Sequence, residues 1–175
     1  MWDSKLVNDS IFFATKKHDG QKMKHPENMP YMAHCFGVSM CAIKYASMIG
    51  GKVDWNLLVC SAILHDTLED TNTTFEELEN LFGTKIAEGV FALTKDESIE
   101  KEKQMLDCIQ RIKKQPKEIA IVKLSDRFFN LRERVPAWEK EKQEAYLAEG
   151  KLIFNELGEF CKPLKTDFEK QINKY

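Results

Sequence analysis

The sequence has few of the residues that mark fibrous, disordered or disulfide-linked proteins. It holds only 8 glycines and 5 prolines among 175 residues, too few for a collagen-like or disordered chain. Its five cysteines are odd in number and show no C-x-x-C spacing, which indicates neither a disulfide framework nor a zinc ribbon. We therefore expect reduced, mostly buried thiols.

Long apolar runs and excess charge are also missing. The longest apolar stretch, from Leu57 to Leu64, is far shorter than the roughly 20 residues that cross a bilayer. The first residues show no charged and then apolar leader, so we expect a cytoplasmic protein without membrane contact. The 26 basic and 28 acidic residues leave a net charge of −2, which provides no field for binding a nucleic acid. A phosphate-bearing ligand would have to be bound locally.

What the sequence does contain is typical of a globular domain. Hydrophobic residues make up 43% of the chain and charged residues 31%. Because a chain of 175 residues is long enough for one hydrophobic core, we expect residues 1–175 to form a single domain. Arginine is scarce, and most of the four arginines are close together in the sequence: Arg111, Arg127, Arg132 and Arg134.

Apolar residues follow a helical period through nearly the whole chain. The pattern predicts an all-α fold, although Ile119–Val122 alone could be a buried strand. The predicted helices lie around Ile11–Thr15, Tyr31–Tyr45, Trp55 to about Glu69, Phe75–Phe82, Lys85–Leu93, Ile99–Lys114, Lys117 to about Arg134, Trp138–Leu157 and Thr166–Ile172. We expect helically spaced phenylalanines in the core: Phe12, Phe13, Phe36, Phe91, Phe128 and Phe129.

Several helix ends can be predicted from capping residues. Asp54 can cap the third helix, Thr74–Glu77 is a capping-box pattern, and Gly83 is a natural stop. Pro116 ends one helix and suits the first turn of the next. The longest predicted loop is Asp19–Pro30.

The most informative segment is the polar end of the apolar third helix. There His65 and Asp66 are adjacent, and the carboxylates Glu69 and Asp70 follow one turn later. On a continuous helix this spacing places the pairs on neighbouring faces. A divalent metal would compensate the charge, since imidazole and carboxylate groups are good ligands for such ions. The alternative is that these residues only cap a helix at the surface.

Two other positions could complete a metal site. His34 opens an otherwise apolar helix, and Asp126 interrupts the apolar run of a later helix. The alternatives are that His34 is a hydrogen-bonded core histidine and that Asp126 pairs with Arg127 or Lys123.

The order His34, His65-Asp66 and Asp126 resembles the H…HD…D pattern of the HD-domain phosphohydrolases. Longer motifs resemble the hydrolase domain of RelA/SpoT proteins, with the stand-alone metazoan SpoT homologue and the bacterial small alarmone hydrolases as nearest relatives. These motifs are Pro30-Tyr31-x-x-His34, His65-Asp66-Thr67-Leu68-Glu69-Asp70-Thr71, Phe82-Gly83 and the segment from Lys123 to Arg132. The similarity extends from about Ala14 to Tyr146.

This resemblance implies a compact HD-domain helical fold of about eight to ten helices. It also implies hydrolysis of ppGpp and pppGpp, the nucleotides of the stringent response, to GDP or GTP and pyrophosphate. One manganese ion per chain would be bound by His34, His65, Asp66 and Asp126. Glu69 and Asp70 match the family's catalytic pair and would orient and deprotonate the attacking water.

The resemblance further implies a substrate-binding set. Its members are Lys24, Lys101, Asn130, Arg132, Lys142 and Tyr146. For Arg127 and Arg134 we expect surface pairing with Glu133 or Glu139. Met23 departs from the family, which usually has an arginine there that lies over the purine, and Glu133 stands where many long members have threonine.

Two other functions remain compatible with the sequence. Because of Met23, the substrate could be another small phosphorylated nucleotide such as NADPH. The second alternative is a non-catalytic nucleotide sensor, although that interpretation predicts a broken set of metal ligands. The sequence does not indicate an oligomeric state.

Overall fold

The computed structural model describes residues 1–23, 28–133 and 138–173, apart from the side chain of Glu133. Lys24 and Arg134 therefore lie outside the described residues. The helices are α1 (Ser4–Lys17), α2 (Met32–Ala46), α3 (Trp55–Leu64), α4 (Thr67–Asp70), α5 (Phe75–Phe82), α6 (Thr84–Leu93), α7 (Lys101–Ile112), α8 (Lys117–Glu133), α9 (Lys140–Leu157) and α10 (Lys162–Ile172), with a 3-10 turn at Gly158–Cys161.

The prediction of an all-α fold is confirmed. Within the described ranges the only extended pairing is an isolated bridge between Lys22 and Pro30. Ile119–Val122 lies inside α8, where all four residues are buried, so the strand alternative is wrong. A helix that is covered on several sides has a continuous apolar run, which cannot be distinguished from a buried strand by periodicity.

Helix α3 lies at the centre of the core. Every residue from Leu57 to Leu64 is buried, and α1, α2, α6 and α8 pack around it. Asp54 caps its first turn by accepting a hydrogen bond from the backbone N–H of Leu57. The C-terminal end of α3 therefore brings His65 to the edge of the core.

The predicted third helix is too long. It ends at Leu64, and a separate single turn, α4, carries Glu69 and Asp70. The capping box of α5 is confirmed, with Thr74 and Glu77 bonded to each other's backbone. The stop at Gly83 is confirmed as well, since its φ of 85° favours glycine.

The phenylalanines divide between core and surface. Phe128 is buried, while Phe13 and Phe129 pack against the core. The prediction is wrong for three others, since Phe12 is 71%, Phe36 41% and Phe91 52% exposed. On α1 the buried face is formed by residues three and four positions apart, Val7, Ser10 and Ala14, which leaves Phe12 on another face.

Two further observations concern membranes and thiols. Among the described helices none is long and apolar enough to cross a bilayer. All five cysteines are free, and four of them are buried: Cys35, Cys60, Cys108 and Cys161.

Candidate active site

Four side chains from three parts of the fold meet at the C-terminal end of α3. Helix α2 brings His34 and α8 brings Asp126, because both helices pack against α3 and against each other. The Nε2 atoms of His34 and His65 are 3.2 Å apart. Asp66 Oδ2 lies 3.0 Å from His65 Nε2 and 3.4 Å from His34 Nε2, and Asp126 Oδ1 lies 3.4 Å from His34 Nε2.

The His-Asp pair lies between the end of α3 and the start of α4. Thr67 Oγ1 donates to the carbonyl of Leu64 at 2.7 Å, so it takes up an acceptor that the end of α3 leaves open. His65 Nδ1 lies 2.8 Å from the carbonyl of Ala62, which can only accept a hydrogen bond. The neutral ring therefore carries its proton on Nδ1 and presents the lone pair of Nε2 to the cluster.

Neighbouring side chains hold both carboxylates. The hydroxyl of Tyr31 donates to Asp66 Oδ2 at 2.6 Å, and the amide of Asn130 donates to Asp126 Oδ1 at 2.8 Å. Lys123 Nζ lies 4.0 Å from Asp126 Oδ2. Such hydrogen bonds orient a carboxylate toward a shared centre.

The charges of the cluster stabilise one another against burial. Burial alone lowers the pKa of His65, but the carboxylates of Asp66 and Asp126 raise it to about 9. Burial alone raises the pKa of Asp66, but His65 and His34 lower it well below its usual range. Burial also opposes ionisation of Asp126, whose pKa His34, Lys123 and His65 nevertheless lower.

The donor set fits a divalent cation. Ligand atoms bound to one ion at roughly 2.1 Å are separated by roughly 3 to 3.5 Å, and His34, His65 and Asp66 can each offer an atom within 4.8 Å of the other two. Asp126 Oδ1 adds a fourth ligand atom, an oxygen, beside His34. Two imidazoles and two carboxylates form a mixed set suited to a borderline or hard ion.

Glu69 and Asp70 lie beside the cluster on α4 and are exposed. The backbone N–H of Lys95 donates to Glu69 Oε2 at 3.0 Å, and Lys95 Nζ is 4.0 Å from Oε1. The side chain of Gln21 donates to the backbone carbonyl of Asp70 at 2.7 Å. Partial desolvation of the carboxyl group and the nearby charge of Asp66 raise the pKa of Asp70, which makes this carboxylate a stronger base than a free aspartate.

A family model described as HD domain matches residues 10–159 of the chain. The chain belongs to the HD-domain family. The relative named guanosine-3′,5′-bis(diphosphate) 3′-pyrophosphohydrolase MESH1 from Danio rerio is 38% identical over 131 residues, which cover 73% of this chain and 68% of that protein. The relative of the same name from Xenopus tropicalis is 34% identical over 148 residues, covering 82% and 80%.

A solved structure extends the similarity to nearly the whole of this HD-domain chain. That structure is of a metazoan ortholog of SpoT that hydrolyses ppGpp and plays a role in starvation responses. The TM-score is 0.83 at 26% sequence identity, with 99% of this chain and 97% of that chain covered. The resemblance to stand-alone metazoan members of the family is thereby confirmed.

In this HD-domain chain, two of the expected substrate-binding residues lie at the cluster. Asn130 is buried and holds Asp126. Tyr146 is half-buried against the core beside Asn130, and burial raises the pKa of its hydroxyl. Helices α8 and α9 thus form one wall of the site.

The expectation for Arg127 is wrong. Its side chain is only 4% exposed, stacks 3.8 Å from the ring centre of Tyr146 and pairs with Glu149 at 3.0 Å. Arg127 therefore joins α8 to α9 in the interior, where its ion-pair partner is Glu149.

Of the other expected substrate-binding residues, Lys101, Lys142 and Arg132 lie on different parts of the described surface, and Lys24 lies outside the described residues. Lys101 is exposed in a groove of about 550 Å³ between α7 and α9, together with Lys95. Lys142 lies at the start of α9, 4.0 Å from the ring centre of Trp138. Arg132 lines another groove, of about 300 Å³, between α2 and α8.

Met23 is buried, with 4% of its surface exposed. It therefore does not present a side chain on which a base could stack. Met23 therefore does not replace the stacking arginine that the family resemblance implies at this position.

The sequence did not identify Gln21, Tyr31 and Lys95 as contributors to the site. Tyr31 could have been found, since it precedes His34 by three residues at the start of α2. Gln21 and the backbone of Lys95 carry no sequence signal, because each acts on α4 from a distant part of the chain.

Proposed function

We propose that the protein is a metal-dependent (p)ppGpp 3′-pyrophosphohydrolase, which releases pyrophosphate from the 3′ position and leaves GDP or GTP. The observation that carries this proposal is the meeting of His34, His65, Asp66 and Asp126, with Glu69 and Asp70 one turn away. The names of the relatives support the choice of substrate.

The four-residue cluster would hold one Mn²⁺ ion. A bound divalent ion acts as a Lewis acid that neutralises charge on the phosphoryl oxygens. Asp66 and Asp126 would supply the hard oxygen donors that Mn²⁺ prefers, and His34 and His65 the imidazole nitrogens.

Glu69 and Asp70 would act on the attacking water. Asp70, with its raised pKa, would accept the proton, while Glu69, held by the backbone of Lys95, would orient the water. A carboxylate fixed in this way requires little reorganisation when the reaction begins.

The substrate's phosphates would be bound by polar and cationic side chains outside the four-residue cluster. Asn130 and Tyr146 would lie nearest the reacting phosphate, and Lys24, Lys101, Arg132 and Lys142 would neutralise more distant charges. This arrangement explains how a chain with a net charge of −2 could bind a highly charged nucleotide.

We also infer one phosphohydrolase domain over residues 1–175, located in the cytoplasm and acting on a nucleotide and not on nucleic acid. The single hydrophobic core, to which α1 through α10 contribute, supports a single domain. The free, mostly buried cysteines support a location in the cytoplasm.

A nucleotide panel with Mn²⁺ tests the proposal. Wild type should release pyrophosphate from ppGpp, His65→Ala should do so at a strongly reduced rate and with less bound metal, and the exposed variant Asp9→Asn should behave as wild type. Turnover of NADPH or another nucleotide without release of pyrophosphate from ppGpp would replace the proposed substrate. Binding of nucleotides without any turnover would instead indicate a sensor.

A further inference from the structure

The side chain of Gln21 connects the segment after α1 to the turn that carries Asp70. Its Nε2 donates to the Asp70 carbonyl at 2.7 Å. Since a carbonyl can only accept, the amide nitrogen faces Asp70 and the amide oxygen faces His18 Nδ1, 2.7 Å away. His18 therefore carries its proton on Nδ1 and donates a hydrogen bond to Oε1 of Gln21.

His18 is itself fixed in place. Only 3% of its surface is exposed, and its ring lies 4.9 Å from that of Tyr31. The backbone N–H of Gln21 donates to the carbonyl of His18 across a turn in which Gly20 has a φ of +74°. Glycine adopts this conformation without a steric penalty, so the turn sets the direction of the Gln21 side chain.

Helix α4 needs contacts from outside. It has four residues, Thr67–Asp70, and a single helical turn is unstable by itself because nucleation costs more than one turn recovers. Lys95 holds the side chain of Glu69, whereas Gln21 holds the backbone of Asp70. The two contacts therefore act on different members of the pair.

We propose that Gln21, oriented by His18, is a positioning residue for Asp70. The inference rests on the proposed function, which gives Asp70 its role in proton transfer. By holding the Asp70 carbonyl, Gln21 fixes the backbone from which the Asp70 carboxylate projects, while the Tyr31 hydroxyl acts on the carboxylate itself. A displacement of about 1 Å in such a group can reduce turnover about 100-fold. Gln21 affects the catalytic rate, not the binding of metal or substrate.

The variant Gln21→Met tests this role, because methionine has a similar shape but lacks the amide. We expect kcat for pyrophosphate release to fall at least about ten-fold, with KM and Mn²⁺ affinity within about two-fold of wild type. Hydrogen exchange over Thr67–Thr71 should become about ten-fold faster as α4 opens more often. If Gln21→Met does not fold, Gln21→Glu keeps the size and removes the donor.

Variants of His18 separate positioning from packing. His18→Asn places an amide N–H near the position of Nδ1 and should retain most of the wild-type kcat, whereas His18→Leu should match Gln21→Met. Because the two residues act as one unit, the double variant His18→Leu/Gln21→Met should be no slower than either single variant.

Asn56→Leu is the matched control. Asn56 is also a half-buried amide that bonds the backbone of another segment, since its Oδ1 accepts from the N–H of Asp3 at 2.6 Å. Asn56→Leu should leave both kcat and hydrogen exchange over α4 unchanged.

The inference would be overturned if Gln21→Met changed neither hydrogen exchange over α4 nor kcat. It would also be overturned if this variant lowered kcat, raised KM and weakened metal affinity to the same extent. Failure of the proposed function would be recognised separately, as absent hydrolysis by wild type, and the exchange measurement would still decide whether Gln21 holds α4.

Discussion

The hydroxyl of Tyr31 donates a 2.6 Å hydrogen bond to Asp66, a residue 35 positions later in the sequence. The same Asp66 oxygen faces His34 and His65. Tyr31 thus fixes the direction of one carboxylate of the cluster from the start of α2, before any ion is bound.

Removing this hydroxyl should weaken metal binding. We expect Tyr31→Phe to lower Mn²⁺ affinity about 10- to 100-fold, because loss of a group that orients a ligand has this effect in metal sites. Isothermal titration of metal-free protein measures it. Tyr45→Phe is the control, since it removes a bond of 2.8 Å from a buried tyrosine to Asp167, away from the cluster. Equal losses in both variants would refute an orienting role for Tyr31.

The pKa of His65 predicts opposite effects of pH on the metal-free fold and on metal binding. Its folded-state pKa of about 9 exceeds the ordinary value of about 6.5. Charged His65 therefore stabilises the metal-free protein fully below about pH 6.5, and this contribution is lost as the pH rises through 9. Since a metal takes the neutral imidazole, Mn²⁺ affinity should rise over the same interval.

Urea unfolding of chelator-treated protein measures the first effect, and calorimetric titration in two buffers measures proton release during the second. The difference between wild type and His65→Gln isolates the histidine. If the free energy of unfolding of wild type relative to His65→Gln increased between about pH 6.5 and 9, the predicted sign of the pH effect would be wrong.

Glu69→Gln separates the orientation of the attacking water from structure at the catalytic pair. Glutamine keeps one oxygen that can accept from the backbone of Lys95, but its NH2 group replaces the second oxygen, which would accept a hydrogen bond from the water. We expect kcat to fall about 100-fold or more, with Mn²⁺ affinity within about two-fold. Glu76→Gln, an exposed position in α5, should leave both unchanged. A full hydrolytic rate in metal-loaded Glu69→Ala would remove Glu69 from the mechanism.

The candidate ligand set came from the resemblance of the motifs to HD-domain phosphohydrolases and from polar residues that stand within apolar helices. His34 and Asp126 interrupt apolar runs, but each run by itself left another explanation open, a core histidine for His34 and pairing with Arg127 or Lys123 for Asp126. Their spatial meeting was not predictable, since it depends on how α2, α3 and α8 pack. The break after Leu64 was also missed, because the Thr67 hydroxyl that stabilises it is ordinary in sequence.

Arg127 shows a second limit of the sequence. Local spacing favoured partners within a few turns, at Glu133 or Glu139. The observed partners, Tyr146 and Glu149, lie on α9 and cover Arg127 only after α9 has packed on α8. Burial of this kind is a property of the tertiary fold and leaves no periodic signal.

Arg127→Leu should therefore destabilise the protein strongly. Arg127 is buried but Glu149 is half-buried, so removing Arg127 leaves a partly desolvated carboxylate without its cation and takes the guanidinium away from Tyr146, at a cost of about 2 kcal/mol in the free energy of unfolding. Arg127→Lys should recover only part, because lysine does not stack on Tyr146 as a guanidinium does. In contrast, Lys165→Met breaks an exposed pair with Glu159 and should have no measurable effect. Chemical denaturation compares the three, and similar stability of Arg127→Leu and wild type would show that the buried pair contributes little.

Gly37 controls how closely α2 approaches α8 beside the metal cluster. A Cβ at this position would overlap the ring of Phe129, and that ring lies 5.6 Å from the ring of His34. We expect Gly37→Ala to lower the free energy of unfolding by about 1 to 3 kcal/mol, as overpacking does, and also to weaken Mn²⁺ binding, because the displaced Phe129 moves His34. Gly50→Ala, which has open space around its Cβ, should change neither the free energy of unfolding nor Mn²⁺ affinity.

The double variant Gly37→Ala/Phe129→Leu should regain part of the lost stability and part of the lost Mn²⁺ affinity, since the smaller side chain removes the overlap. A loss of stability with unchanged metal affinity would show that the two helices transmit no strain to His34.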